Sequence, residues 1–222
     1  MLTDSRGRIR VEQLGAASSL PALLIARAAT SPDQVAWRQK TLGVWAETDW
    51  AQLEARVAAY ATGFGRIGVE PGTRVAMIVG PGLEAAAAGT GLLGMGACVV
   101  SLHPGVAGSE LGALLAGADV RIAIVEDAEQ LEVLREARVS APQLHTVFVV
   151  EPRGLAASSS APPPLIGVAA PDLATDSVDA WRASVTRLSP GAPALIALTV
   201  GGSGAPRPVT LSHANLMAAA RA

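Results

Sequence analysis

Apolar positions along the chain recur with two periods, and their alternation sets the expected fold. Between Pro21 and Ala29, Leu and Ile fall at helical spacing until Thr30-Ser31-Pro32-Asp33 supplies turn chemistry. Val35 to Gln39 and Val44 to Thr48 carry strand formers around Thr41-Leu42-Gly43, which predicts a β-hairpin. Asp49 then caps a helix from Trp50 to Arg66, where Leu53, Val57, Tyr60, Ala61 and Phe64 keep a spacing of three to four. Gly68 with Pro71-Gly72 ends it.

Beyond this helix the pattern alternates strand and helix: Arg74 to Val79, Leu83 to Gly96, Cys98 to Leu102, Ser109 to Ala116, Arg121 to Val125. A helix from Glu129 to Ala137 and a strand from Thr146 to Val150 follow. Short apolar strands joined by helices imply βαβ units, so the fold class is α/β with a mostly parallel sheet covered by helices. Residues 1–19 lack periodicity and read as a tail or loosely docked lead-in; residues 20–222 are expected to form one domain. Within it, residues 151–170 include Ser158-Ser159-Ser160-Ala161-Pro162-Pro163-Pro164 and read as an exposed loop. Ala194 to Thr199 is a buried-strand candidate leading into Gly201-Gly202-Ser203-Gly204-Ala205-Pro206, and Ser212-His213-Ala214-Asn215 opens a final helix.

Composition narrows the function classes. Only 3% of residues are aromatic, so the core is expected to rest on Ala, Val, Leu and Ile. A formal charge of −2 provides no field for nucleic acid, and no nucleic-acid partner is expected. The single cysteine, Cys98, excludes an intramolecular disulfide; with no secretory pattern at Met1 to Arg6, a cytoplasmic location is expected. Its apolar neighbours make it a buried inert thiol. The uncharged run from Ala85 to Val106 is long enough to cross a bilayer, but its Ala and Gly content and Pro104 fit a small-residue helix and a buried strand better. Peripheral membrane association stays open.

Candidate chemistry is concentrated near the C-terminus. A strand, Gly-rich loop and helix in sequence expose backbone N–H groups that can surround phosphate oxygens; a plain hairpin or turn is the competing reading. Gly204 is followed by Ala205-Pro206 rather than Lys and Ser or Thr, which excludes a Walker loop. Gly89-Thr90-Gly91-Leu92-Leu93-Gly94 fits the dinucleotide GxGxxG pattern but lies inside a helix with no strand directly before it. His103, His145 and His213 are too scattered for a metal site, and no protein metal ligand is expected. Glu126, Asp127 and Glu129 read as a solvated turn and helix start.

The run from Thr199 to Leu216, Thr-Val-Gly-Gly-Ser-Gly-Ala-Pro-Arg-Pro-Val-Thr-Leu-Ser-His-Ala-Asn-Leu, resembles the signature of adenylate-forming (AMP-binding) enzymes. Upstream, Ser31 to Ala36, Asp49 to Leu53, Gly68 to Ala76 and Val120 to Asp127 are similar in order and spacing to the acyl-CoA synthetase, or long-chain fatty acid-CoA ligase, branch. The resemblance implies the N-terminal portion of the large domain of such an enzyme. It implies ATP, Mg²⁺ and CoA as cofactors of the full-length form and a fatty or related carboxylic acid as substrate, converted to acyl-AMP and then acyl-CoA. By the same resemblance Thr199, Gly201, Ser203, Gly204 and Arg207 occupy the phosphate-loop positions, while no catalytic residue is assigned.

Four positions depart from the family pattern. Val200 replaces a Ser, Gly202 a Thr, Arg207 the Lys and Pro208 the following Gly. Hydroxyls and one N–H donor are lost, and a planar guanidinium replaces a compact ammonium, so weakened phosphate binding is expected. The family's adenine motif, ribose-binding aspartate and C-terminal lysine do not occur in the 222 residues, and negligible ligase activity is expected of this chain alone. The alternative is a non-catalytic, degenerate synthetase domain kept as a binding or assembly module. A sheet ended early would also leave an unpaired edge, predicting self-association or docking of a missing C-terminal half.

Overall fold

The computed structural model describes residues 17–151, 177–199 and 207–222. Helix α1 spans Leu20–Thr30; Ser19 Oγ accepts from the Ala22 amide at 3.2 Å, and Pro21 occupies the first turn, where no amide is needed. Strands β1 (Val35–Thr41) and β2 (Val44–Asp49) form an antiparallel ribbon hydrogen-bonded to no other strand among the described residues. Thr41 pairs with Val44, so Leu42-Gly43 is the whole loop, with φ of 49° and 84°. Helix α2 (Trp50–Arg66) starts at a full capping box, with Asp49 Oδ1 accepting from the Gln52 amide and Gln52 Oε1 accepting from the Asp49 amide.

Strands β3 (Arg74–Ile78), β4 (Cys98–Ser101), β5 (Ile122–Val125), β6 (Thr146–Val149), β7 (Pro193–Thr199) and β8 (Arg207–Ser212) make one sheet in the order β6-β5-β3-β4-β7-β8. All neighbours run parallel except β7 and β8. From β3 the chain moves one way to β4 and then back across β3 to β5. Right-handed connections therefore put α3 (Leu83–Met95) and α4 (Gly108–Gly117) on opposite faces. Side-chain alternation agrees. Val75, Val99, Ile122 and Phe148 pack with α1, α2, α3 and α6 (Ser177–Val185), whereas Ala76, Val100, Ala123 and Val147 pack with α4 and α5 (Ala128–Ala137).

The chain has one tyrosine and two phenylalanines, and all three meet in the first of these layers. Tyr60, Phe64 and Phe148 have ring centroids 5.2 to 5.8 Å apart, so the tyrosine and both phenylalanines of this aromatic-poor chain form one cluster. Elsewhere small residues set the spacing. A Cβ at Gly91 would lie 3.0 Å from the Val57 carbonyl oxygen of α2, and one at Gly94 would lie 2.2 Å from Trp181 Nε1 of α6. The GxGxxG match is thus a helix-packing surface.

The elements of the parallel sheet fall where their periodicity predicts them, and the Ala85 to Val106 run divides into α3, β4 and a turn. Among the described residues no helix is long and apolar enough to cross a membrane. Two elements differ from expectation. Helix α6 has no counterpart in the sequence reading, and residues after the Gly-rich loop form β8 before any helix starts. Most of the Ser/Pro-rich stretch and the lead-in lies outside the described residues.

Candidate functional site

Five parallel strands direct their C-terminal ends to one edge of the sheet, and neighbouring strands whose helices lie on opposite faces open a crevice there. The segments that leave this edge are Gly80-Pro81-Gly82 after β3, His103 after β4, Glu126 after β5 and Glu151 after β6. β7 also points there, because it pairs parallel to β4, so Thr199 at its end and Arg207 opposite it sit at this edge.

The neck of the Gly-rich loop is described on both sides. Thr199 pairs with Arg207, and Thr199 Oγ1 donates to the Arg207 carbonyl at 3.2 Å. The Arg207 side chain is exposed, and among the described residues no carboxylate pairs with it. A free guanidinium at the mouth of a Gly-rich loop suits an anionic phosphate. Gly201, Ser203 and Gly204 lie outside the described residues.

Because β8 runs back along β7, helix α7 (His213–Arg221) begins at the far edge of the sheet, where Ser212 pairs with Pro193. Six strand residues place that helix start about 20 Å from the loop. The expected order of strand, loop and helix is therefore corrected: β8 intervenes, and the dipole of α7 acts at the opposite end of that strand from the loop. Ser212 and Asn215 close a capping box instead. His213 is fully buried, neither ring nitrogen has a hydrogen-bond partner among the described residues, and desolvation holds its pKa below the ordinary 6.5. The folded state therefore prefers the neutral ring. Its contribution is intact above the unfolded pKa and is lost as pH falls below 6.5 and the unfolded chain takes up the proton. In His213→Phe, thermal melts at decreasing pH should show a shallower loss of stability than the parent chain.

A cavity of about 470 Å³ lies at the same C-terminal edge, around the ends of β3, β5 and β6. Lys40, Gly80, Gly82, Glu84, Glu126 and Glu151 contribute to its wall. Several carboxylates against one lysine make it unsuited to phosphate, which leaves the phosphate reading with Arg207. The carboxylates have structural work. Glu126 Oε2 accepts from the Gly80 amide at 2.9 Å, tying the β5 end to the β3 end, and Asp127 caps α5 by accepting from the Gln130 amide. Glu84 accepts from Arg56 at 2.5 Å and from the Tyr60 hydroxyl at 2.6 Å. Burial first, then that bond, pushes the Tyr60 pKa far up and keeps the phenol protonated. The sequence reading missed this trio; Tyr60 has a hydroxyl on an otherwise apolar helix face, which is the signal that could have found it.

Among the described residues no group of three or more His, Cys, Asp or Glu could hold a metal ion. Cys98 is buried with its pKa raised by desolvation, which suits an inert thiol.

A sequence profile described as AMP-binding enzyme matches residues 24–222. The chain belongs to the AMP-binding enzyme family. Comparison with curated protein sequences finds no match. Solved structures share the fold of this AMP-binding chain. VinN is 22% identical with a TM-score of 0.67, the match covering 91% of this chain and 45% of VinN. Fatty acid AMP ligase from Legionella pneumophila is 20% identical with a TM-score of 0.69, covering 96% of this chain and 33% of the ligase. The anthranilate CoA ligase AuaEII, solved with anthranoyl-AMP, is 16% identical with a TM-score of 0.66, covering 92% and 36%. The AMP-binding chain thus spans less than half the length of each.

Proposed function

We propose that this chain carries the phosphate-binding part of an enzyme that activates a carboxylic acid as its acyl-adenylate, a fatty or related acid being the substrate and CoA the final acceptor. The observation that carries this reading is the neck of the Gly-rich loop: an exposed Arg207 with no carboxylate partner among the described residues, at the C-terminal edge of the sheet in a family-matched domain. Structural neighbours support acid activation as the chemistry. A fatty acyl-adenylate ligase from L. pneumophila is solved with acyl adenylate and pyrophosphate, and VinN with L-aspartate.

ATP supplies the α-phosphorus that a carboxylate attacks and the pyrophosphate that leaves; Mg²⁺ would travel with the nucleotide. This chain's own share is to hold the phosphates. By the family resemblance the loop amides and the Ser203 hydroxyl would hold the phosphate oxygens and Arg207 would offset their charge, while the Thr199 hydroxyl donates to the Arg207 carbonyl across the neck. Arg207 and Thr199 orient and bind; neither moves a proton.

Calorimetric titration with MgATP tests this. Saturable binding is expected, weakened about tenfold in Arg207→Ala through loss of one charge-assisted contact. No saturable binding would instead support the degenerate binding module, with Val200, Gly202 and Pro208 as the lost donors.

A further inference from the structure

Six large apolar side chains are exposed among the described residues, and four of them belong to the β1–β2 ribbon. Leu42 at its tip is 99% exposed, Val44 70%, Trp45 62% and Val35, at the base, 46%. The ribbon pairs with no other strand among the described residues, and its tip is solvent-exposed. Leu42 breaks a second rule as well. A two-residue hairpin loop with positive φ at both positions favours Asn-Gly, and Leu at φ 49° is strained and fully solvated at once. Local choices that oppose both folding and solubility mark a surface with another use.

We infer that the β1–β2 tip is a docking element for an anionic lipid surface, burying Leu42, Val44 and Trp45 at the boundary of headgroups and acyl chains. The size of the patch selects this occupant. Three tip side chains offer far less than the roughly 800 Å² per partner that a stable protein interface needs. A small convex tip with an indole and a cation is enough for shallow interfacial insertion. Charge agrees with it. Lys40 pairs in register with Trp45, so the two share a face, and among the described residues no carboxylate pairs with Lys40. The neighbouring acid, Glu47, is already matched by Arg38 at 2.6 Å. Lys40 also borders the carboxylate-lined cavity at the β3 end, but no carboxylate there pairs with it among the described residues, and its flexible stem can carry the ammonium to lipid phosphate beside the inserted indole.

The test is co-sedimentation of the full chain with vesicles of phosphatidylcholine, with and without phosphatidylglycerol, alongside thermal melts. The parent chain should pellet with the anionic vesicles and less with neutral ones. Leu42→Asn separates docking from folding, because Asn suits the turn: its Tm should rise by about 2 to 4 °C while its partition falls about tenfold. Trp45→Ser should lose binding to a similar degree. Parent protein that stays in the supernatant with both vesicles overturns the inference, as does a Leu42→Asn variant that partitions like the parent. Dimers in sedimentation velocity that Leu42→Asn abolishes, without vesicle binding, would reassign the tip to self-association.

Discussion

Gly94→Ala is expected to destabilise the fold by about 2 to 3 kcal/mol, although alanine is the better helix former by about 1 kcal/mol. The reason is local. An added Cβ would lie 2.2 Å from Trp181 Nε1 and 2.7 Å from Cε2, and Trp181 is buried between α6 and the helices beneath it. An indole wedged in a close-packed layer cannot swing aside without displacing α6. Urea unfolding should show a lower midpoint at unchanged slope, and the Tm should fall by roughly 5 to 10 °C. An unchanged midpoint would mean that α6 does not sit on α3 in solution.

Arg182→Ala should cost about 2 kcal/mol through a different mechanism. Glu54 lies within α2 with its side chain only 5% exposed, and Arg182 of α6 meets it with two parallel bonds of 2.7 Å. Removing the guanidinium strands a buried carboxylate, a change that costs more in a fully enclosed pair; Arg182 is itself 41% exposed, so water can relieve part of the penalty. The double variant Glu54→Leu/Arg182→Leu should recover most of the loss, because no charge is left behind. A double-mutant cycle in urea measures this, and a double variant as weak as Arg182→Ala would assign the loss to packing of the arginine stem.

The two differences between sequence and structure have physical causes. Helix α6 was legible in principle: Val178, Trp181 and Val185 stand at helical spacing and face the core. The segment is one short amphipathic turn pattern after a long Ser/Pro-rich stretch, and without the Glu54 bond and the Gly94 notch nothing in its own residues demands a helix. Strand β8 was hidden for another reason. Arg207-Pro208-Val209-Thr210 is mostly exposed, and Pro208 argues against a strand until an edge position is known, where a missing amide costs little. By contrast β3 to β6 were plain, because strands buried on both faces leave continuous Val, Ile and Ala runs. At the site, the loop neck residues were readable from their motif, but which edge of the sheet each end faces depends on strand direction, which composition does not carry.

The strand order also governs assembly of the chain during synthesis. β4 takes β3 as a neighbour almost at once, yet its other side waits for β7, whose residues come only after β5, β6 and the whole intervening stretch. From Ser101 until Pro193 has been made, an interval of roughly 5 to 20 s at ribosomal rates, a central strand of the future sheet stays open on one side. Nascent chains are therefore most vulnerable to edge-to-edge association in that window, and the late arrival of β7 sets the step at which the sheet closes.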